Sequence, residues 1–349
     1  MNYRHAVIVL GAGASKGARV AGGKTPPLDT NFLEIASDYF RGKHARGQNK
    51  DKVEAWARFK SHLRRAGIEF SAVKGWRLEQ LSIFLEARAS LKGLQLGPGR
   101  PRNLQKALEA LKVLVCHVLQ SEGGTRACDL HKKLFELVNP STVISFNYDL
   151  IADQSMIEVG LLDWKSREYR GAKYASIPTE HGTLYRYIQA RHKAGCVPLL
   201  KLHGSMHWEK LHRGDGFRLA GCRLPDDHNP TFHYLEVPAE PYIVPPVAAK
   251  IEIKQAELRS RWRLAIARLH EAPTWIIWGY SFPETDTISH VLFRAALARN
   301  RRKKPVLIIN PDMSVGARVL EICPKVSVRQ YPSMERWLLD NGQLSINNN

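Results

Sequence analysis

Short runs of aliphatic and β-branched residues recur along the chain, and each stops at a glycine or at a side chain that can form hydrogen bonds. Runs of this kind, apolar on both faces, are typical of central strands in a parallel sheet. We predict strands at 5–10, 142–146, 197–202, 274–278 and 306–309, and an edge strand at 326–328. Segments with helical periodicity separate them. The alternation predicts an α/β fold: a Rossmann-like parallel sheet with helices on both faces.

The predicted helices include a long insertion beside the sheet. Helices are expected at 30–40, 256–270 and 285–298, and a short one starts at about Ser15. One face of a further helix is marked by apolar residues at intervals of four and three: Leu104, Leu108, Leu111, Val115 and Val118. The pattern is helical from about 45 to 119, and the glycine- and proline-rich run 97–101 breaks it in two. We interpret its apolar stripes as core packed beside the sheet.

These elements predict a single domain over residues 1–349. Its core is expected at 1–40, 138–150, 196–209 and 242–335. Three insertions interrupt it: a helical one at about 41–137, a mixed and largely helical one at about 151–195, and an irregular excursion with short antiparallel strands at about 210–241.

The chain is strongly basic, with a formal net charge of +19 from 52 Lys and Arg against 33 Asp and Glu. Basic residues concentrate at 41–77 and 299–304, which would suit a nucleic-acid surface, a solvated face or a patch for an anionic partner. Because no motif with base-reading spacing occurs, DNA binding is an alternative and not the leading interpretation.

The composition also bears on the compartment. No apolar run approaches the ~20 residues that span a bilayer, and the N-terminus lacks a charged-then-apolar signal pattern. The five cysteines are odd in number, widely spaced and without a C-x-x-C pair. This argues for a reducing compartment and against a four-cysteine zinc site. We therefore expect a cytoplasmic protein without a membrane partner.

The predicted strands end in Gly11, Asn147, His203, Gly279 and Asn310. Ligands of parallel sheets bind beyond the carboxyl ends of the strands, so these residues are predicted to converge on one pocket. The glycines after the first strand permit a sharp turn and the close approach of a ligand, and the helix N-terminus beyond them favours phosphate. Each polar residue also has a purely structural interpretation, as a helix cap, a turn histidine or an Asx turn.

Two enzyme classes fit parts of this pattern less well. A dinucleotide-dependent dehydrogenase would have glycine where Lys16 stands, and an acidic residue after a second strand about 20 residues later. A proline-rich loop and a helix occupy that region instead. Residues 13–17 match the G-x-S-x-G pattern of α/β-hydrolases, and Asp149 and His203 follow in triad order. Only one predicted strand precedes this pattern, whereas a nucleophile elbow follows a central strand with several strands before it.

Metal-dependent chemistry has weaker support. His203 and His207 are four residues apart, but Gly204 and Ser205 between them favour a turn, and the glutamate of an H-E-x-x-H motif is missing. Residues 225–226 (Pro-Asp) with 252–254 (Glu-Ile-Lys) loosely match a metal-dependent nuclease, a pattern short enough to arise by chance.

The strand ends carry an ordered set of motifs: Gly-Ala-Gly-Ala-Ser at 11–15, Phe-Asn-Tyr-Asp at 146–149, Leu-His-Gly-Ser at 202–205, Gly-Tyr-Ser-Phe at 279–282 and Ile-Asn at 309–310. In this order the chain resembles the sirtuin superfamily, and looks most like the sirtuin-like NAD hydrolases of bacterial anti-phage defence, not the protein deacylases. The resemblance runs from Val7 to Asn310, includes Val-Pro-Pro at 244–246, and leaves out the helical insertion. The zinc-binding cysteine pairs of the deacylases are missing, and Pro-Pro-Leu-Asp at 26–29 replaces their Pro-Asp-Phe-Arg loop, so no zinc is expected.

The resemblance implies roles for the matching residues. The pyrophosphate of NAD would be held by Gly11, Ala12, Gly13 and Ser15. The adenosine half would be bound by Ser281 and Asn310, and Gly279 would also contact the cofactor. Asn147 would orient a water at the nicotinamide ribose, Asp149 would accept from the carboxamide, and His203 would act as the general base. An unperturbed histidine pKa near 6.5 suits that last role.

The implied function is an NAD+ hydrolase that releases nicotinamide and ADP-ribose. Such an enzyme would deplete NAD+ in an infected cell, so it would stay silent until a partner protein or homo-oligomerisation activates it; an ATPase translocase is one candidate partner. Two alternatives stay open. One is a non-catalytic module that senses NAD or ADP-ribose, and the other is a DNA-binding or nuclease component of a defence complex.

Overall fold

The computed structural model describes most of the chain. The described residues are 3–17, 24–41, 50–90, 101–162, 173–179, 182–188, 196–210, 217–219, 222–223, 233–234, 237–244, 256–298, 300 and 302–341. Several predicted features lie outside them in whole or part: the 97–101 break, the Val-Pro-Pro motif, the 225–226 and 252–254 pairs, and sections of both basic stretches.

The strands are β1 (Val7–Leu10), β2 (Thr142–Ser145), β3 (Lys173–Thr179), β4 (Gly182–Ile188), β5 (Leu199–Lys201), β6 (Gly204–Lys210), β7 (Phe217–Leu219), β8 (Cys222–Arg223), β9 (His233–Tyr234), β10 (Pro241–Ile243), β11 (Trp275–Trp278), β12 (Lys304–Ile309) and β13 (Val326–Tyr331).

The helices are α1 (Ala12–Gly17), α2 (Phe32–Arg41), α3 (Lys50–Arg65), α4 (Phe70–Val73), α5 (Leu78–Ser90), α6 (Pro101–Ser121), α7 (Asp129–Val138), α8 (Ile151–Glu158), α9 (Ala256–Glu271), α10 (Thr287–Leu297), α11 (Val315–Ile322) and α12 (Met334–Asp340). A 3₁₀ turn at Asp29–Asn31 precedes α2.

Six strands form one parallel sheet in the order β13-β12-β11-β1-β2-β5, and helices flank it. The predicted α/β fold is therefore confirmed, and β13 is the predicted edge strand. Strands β1, β2 and β11 are buried along their whole length, as the apolar runs of β1 and β11 predict; β2 also buries Thr142 and Ser145 at its ends. The chain winds outward from β1 through β2 to β5, then returns to build β11, β12 and β13 on the other side. This is the strand order of a doubly wound sheet, whose switch point lies between β1 and β11.

Two hydrophobic cores lie side by side. The larger one packs the sheet against side chains of α7 to α12, including Phe135, Trp262, Phe293 and Trp337. The smaller one joins helices α2 to α6 to one another, and Met206 and Ile243 connect it to the strands. Packing thus places α2 with the insertion helices and α7 with the sheet.

Two local expectations are wrong. Within the segment expected to be mixed and largely helical, residues 173–179 and 182–188 are strands: β3 and β4 pair antiparallel, with Tyr174 opposite Tyr187 and Ile177 opposite Leu184. Aromatic and β-branched residues favour strands, and here they outweigh the helical expectation. Helix α1 begins at Ala12 and not at about Ser15, because the chain turns directly at the strand end. The N–H of Ala14 donates to the Gly11 carbonyl at 2.9 Å.

Short antiparallel strands are expected at about 210–241, where β7, β8 and β9 lie, and β6 and β10 extend the small antiparallel sheets to either side of this range. Strand β6 pairs with β10 and β7, and β8 pairs with β9. Gly204, with φ +82°, makes the turn between β5 and β6. A Cβ at this position would lie 2.0 Å from the Tyr242 carbonyl oxygen, so only glycine fits.

Candidate active site

A cleft runs along the carboxyl ends of the central strands, and residues of α5 and α6 bound it on the opposite side. Its volume is about 1640 Å³. The predicted strand-end residues that line it are Asn147, His203, Gly279 and Asn310, and it also takes in Ala12, Gly13, Ser15, Asp149 and Ser281. Gly11 does not line the cleft, but its carbonyl oxygen accepts a hydrogen bond from the Asn147 amide. Residues far apart in sequence therefore meet at the switch point of the sheet.

The glycines after β1 are required by the backbone of the loop after β11. A Cβ at Gly11 would lie 2.5 Å from the Cα of Tyr280, and a Cβ at Gly13 would lie 2.8 Å from the Cα of Gly279. Gly279 has φ +68°, and its own Cβ would lie 1.9 Å from the nitrogen of Ala14. The N–H of Gly13 donates to the Gly279 carbonyl at 2.9 Å. The close approach predicted here for a ligand is made by the protein's own backbone, which docks two site loops onto each other.

Three polar side chains form one hydrogen-bonded group at the floor of the cleft. The Ser15 hydroxyl donates to Asp149 Oδ2 at 2.6 Å. The Asn147 amide donates through Nδ2 to both the Gly11 carbonyl and Ser15 Oγ, each at 2.9 Å. Asp149 Oδ1 accepts from the Ile151 N–H at 3.1 Å, at the start of α8. These bonds fix the Asn147 side chain in one orientation.

The Asp149 carboxyl is an electrostatically costly member of this group. Burial raises its pKa, although the nearby Lys201 charge and the Ser15 hydrogen bond both act to lower it. The Lys201 ammonium donates to the Asp149 carbonyl oxygen and lies 2.9 Å from Asp153 Oδ2. The Lys201 and Asp153 side chains are fully buried. A buried ion pair thus supports the turn that carries Asn147 and Asp149.

His203 lies in an aromatic pocket at the end of β5. The Phe146 ring meets its imidazole edge to face at 5.0 Å, and the Tyr148 and Trp262 rings lie at 6.5 and 6.2 Å. Its Nε2 is 3.4 Å from Asp286 Oδ2, within ion-pair range for a protonated imidazole. These contacts hold the imidazole at the wall of the cleft.

The far end of the cleft is more exposed. The Asn310 side chain accepts from the Asp312 N–H at 3.0 Å, which makes an Asx turn, and its Nδ2 lies 3.5 Å from the Tyr280 carbonyl. The Arg318 guanidinium donates to the Ser281 carbonyl and lies 3.5 Å from Asp312 Oδ2. Hydrogen bonds from Ser314 lower the pKa of the exposed Asp312 carboxyl most strongly, and the Arg318 charge acts in the same direction.

The helical part of the chain supplies the opposite wall. The predicted apolar face of α6 contributes Leu108, Leu111 and Val115 to the cleft. Glu79 of α5 accepts a hydrogen bond from the Thr285 hydroxyl, and its N–H donates to Asp29 Oδ1 at 2.7 Å. The first contact ties the helical wall to the loop that precedes α10, and the second ties it to the 3₁₀ turn before α2.

Sequence reasoning missed Asp286, the Tyr280 hydroxyl and the Lys201–Asp153 pair. Lys201 carried a usable signal, because a lysine inside an apolar strand needs a buried acidic partner. Asp286 directly precedes α10, where an aspartate is ordinarily interpreted as a helix cap. Its side chain makes no capping hydrogen bond, so a capping role does not explain why an aspartate stands at this position.

The structure also bears on the other chemistries. Ser15 directs its hydroxyl to Asp149 and not to a histidine, which does not match a hydrolase triad. His207 lies 2.9 Å from Ser205 Oγ, and burial lowers its pKa to about 3. Within the described part of the chain, no three His, Cys, Asp or Glu residues form a metal-binding group.

None of the helices described is both long and apolar enough to cross a membrane.

Comparison of the chain with models of known protein families, and with curated proteins, gave no match. Among solved structures, it aligns with a Sir2 homologue in complex with ADP-ribose at 12% identity and a TM-score of 0.41, over 98% of this chain and 94% of that one. It also aligns with a Sir2 homologue in complex with NAD at 12% identity and a TM-score of 0.39, over 96% of this chain and 86% of that one. At this level of similarity, the function must be argued from the chain's own residues.

Proposed function

We propose that the protein is an NAD+ glycohydrolase, which binds NAD+ in the cleft and splits it with water into nicotinamide and ADP-ribose. One observation carries the proposal: Ser15, Asn147 and Asp149 form a single hydrogen-bonded group in a cleft that His203 also lines. The cleft volume of about 1640 Å³ leaves room for a dinucleotide, because pockets for drug-sized molecules occupy roughly 300–1,000 Å³.

In this proposal the dinucleotide lies along the strand ends. The adenosine half faces Ser281 and Asn310, and the pyrophosphate crosses the start of α1. The N–H of Gly13 already donates to the Gly279 carbonyl. The other backbone N–H groups of the 11–15 segment carry no net charge, so the phosphates need a cationic side chain as well. The Arg318 guanidinium, which bonds to the Ser281 carbonyl, supplies positive charge at that end.

The nicotinamide ribose then reaches Asn147 and His203, where the bond between the nicotinamide nitrogen and ribose C1′ breaks. The bonding electron pair leaves with neutral nicotinamide, and positive charge develops on the ribose. Water forms the new bond to C1′ and passes a proton to His203. Both Nδ2 hydrogens of Asn147 are directed to Gly11 and Ser15, so its carbonyl oxygen is the end that accepts from this water. Positioning and general-base catalysis are the contributions required of the protein.

Asp149 has two roles in the proposal. It accepts from Ser15 and from the Ile151 N–H, which orients the Ser15–Asn147 pair. Each carboxylate oxygen has a second lone pair, and these can accept from the nicotinamide carboxamide.

We further propose that the activity serves anti-phage defence and is switched on by a partner protein or by homo-oligomerisation. An unregulated enzyme of this kind would exhaust the NAD+ of its own cell. The helices α2 to α6 have a core of their own, and residues of α2, α5 and α6 form one wall of the cleft. A partner that shifts this wall, such as an ATPase translocase, would change access to the site.

The test is the release of nicotinamide and ADP-ribose from NAD+ by wild type, Asn147→Ala and His203→Ala. Matched controls are Asn300→Ala and His270→Ala, which replace the same residue types outside the cleft. We expect turnover by wild type and by both controls, and a loss of at least 100-fold in the two cleft variants. If the wild-type chain is silent alone, the series is repeated with the products of neighbouring genes.

Equal turnover in all five proteins would overturn the proposal. Tight NAD+ or ADP-ribose binding without consumption, with every neighbouring gene product present, would favour the sensing module instead. Binding of DNA with a steep salt dependence and no effect on NAD+ would favour the nucleic-acid alternative.

A further inference from the structure

Asp286 is a buried carboxylate whose position no helix cap explains. Asp286 is 1% exposed, and its side chain makes no capping hydrogen bond to α10. Instead Oδ2 lies 3.4 Å from His203 Nε2 and 2.8 Å from the Tyr280 hydroxyl oxygen. Burying a carboxylate is costly unless donors or positive charge compensate it, and both of these neighbours can do so.

Tyr280 is held so that it can serve as a fixed donor to this carboxylate. Its ring stacks on Phe146 at 4.4 Å with an interplanar angle of 13°. Its hydroxyl also lies 2.6 Å from Ser289 Oγ, which in turn donates to the Asp286 carbonyl at 2.7 Å. Burial, and then the Asp286 charge, raise the pKa of Tyr280 well above its ordinary value, so the hydroxyl keeps its proton.

The loop after β11 therefore has two structural roles. Its Gly279 docks against the 11–15 segment, and its next residue orients an acid against His203. Because Phe146 stacks on Tyr280 and also meets the imidazole edge to face at 5.0 Å, the three aromatic groups pack as one unit.

We propose that Asp286, oriented by Tyr280, is the positioning residue for His203: it fixes the orientation and the protonated nitrogen of the imidazole, and it balances the charge of the imidazolium. This proposal rests on the proposed function. During hydrolysis the proton passes from water to His203, and Asp286 stabilises the imidazolium without taking the proton itself. A carboxylate behind a histidine base plays this part in other hydrolytic sites.

Other titratable groups lie around this pair. The Asp286 charge acts on Tyr280 and on His290 of α10, and the Glu79 charge acts on Tyr280 from α5. Burial lowers the pKa of His290, although the Asp286 charge opposes this. An altered pH profile must therefore be assigned to His203 by a measurement on that residue.

The first test compares NAD+ cleavage by Asp286→Asn, Tyr280→Phe and wild type. Glu321→Gln is the matched control, because it removes one carboxylate charge from an exposed position outside the cleft.

We expect Asp286→Asn to lower kcat about 10- to 100-fold, a part of the 10²–10⁴ that a general base contributes, with KM changed less than about threefold. Its kcat/KM profile should lose activity at a lower pH than wild type, because the base no longer has a negative neighbour. Tyr280→Phe, which keeps the ring stack, should show a smaller loss, and Glu321→Gln none.

The second test reads His203 directly and needs no turnover. In protein with ¹³C-labelled histidine side chains, the His203 signal is the one that disappears in His203→Gln. Its titration midpoint should fall in Asp286→Asn and stay at the wild-type value in Glu321→Gln. A wild-type enzyme that stays silent with every neighbouring gene product present would contradict the proposed function, while this titration still decides the pairing. Unchanged kinetics together with an unchanged His203 titration in a folded Asp286→Asn protein would overturn the inference.

Discussion

Replacing Gly279 with alanine should damage the cleft out of proportion to the single methyl group added. Gly279 has φ +68°, and its Cβ would lie 1.9 Å from the Ala14 nitrogen and 2.3 Å from the Gly13 carbonyl carbon. Ordinary contact begins near 3.4 Å, so the 11–15 segment or the 279–282 loop must move by more than 1 Å.

The expected magnitude has two parts. A positive φ costs an alanine about 1–2 kcal/mol, and forcing a methyl group into packed backbone costs about 1–3 kcal/mol more. The shift would also strain the bond from the Gly13 N–H to the Gly279 carbonyl and move Ser15 relative to Asn147. Since a 1 Å misplacement can cost about 10²-fold in rate, NAD+ cleavage should fall by roughly that factor.

Gly160 provides the matched control. It has φ +73°, and a Cβ there would meet nothing within 4 Å. The only cost of Gly160→Ala is therefore the strain of an alanine at a positive φ. Differential scanning fluorimetry and NAD+ cleavage are measured for both variants. Gly279→Ala should melt about 2–6 °C below Gly160→Ala, since the added methyl group costs it about 1–3 kcal/mol more, at ~2 °C per kcal/mol for a chain of this size. Equal melting temperatures and equal activities would refute the docking of the two loops as the reason for glycine at this position.

Two further predictions concern buried titratable groups. Burial raises the pKa of Asp149 in the folded protein. The stability that this carboxyl contributes is therefore complete only below its pKa in the unfolded chain, near 3.9, and it is lost as the pH rises through its pKa in the folded protein. Asp149→Asn should therefore melt at or above the wild-type temperature at pH 7 while losing NAD+ cleavage at least 100-fold; a large loss of stability would contradict this. Burial lowers the pKa of His131 to about 3, so the stability that it contributes is present above pH 6.5 and is lost as the pH falls towards 3. Urea unfolding at pH 6.5 and 5.0 should show His131→Leu losing less stability on acidification than wild type, by about 1.4 kcal/mol per pH unit; identical acid sensitivity would argue against a neutral buried imidazole.

The sheet could be predicted from sequence because its strands are buried on both faces. The strands β1 and β11 are apolar throughout, and β2 and β12 depart from this only at Thr142, Ser145 and Lys304. A glycine or an asparagine directly follows β1, β11 and β12. The position of the cleft followed from the alternation of strands and helices, since parallel strands share one carboxyl edge.

Features that depend on tertiary contacts were not accessible in this way. The β3–β4 hairpin lies in a polar segment where strand and helix patterns compete. The glycines at 11 and 13 are dictated by Gly279 and Tyr280, which lie more than 260 residues away in sequence. Asp286 precedes a helix, so a local interpretation assigns it a capping role, and only the fold brings it to His203.

The most direct test is a crystal structure of the His203→Ala variant with NAD+. The variant should retain the cleft while turning over slowly enough to trap the dinucleotide. We expect the nicotinamide ribose beside Asn147, the pyrophosphate over the 11–15 segment, and the adenosine near Asn310. A dinucleotide bound elsewhere on the molecule, or an empty cleft at millimolar NAD+, would contradict the proposal that these strand ends form an NAD+-cleaving site.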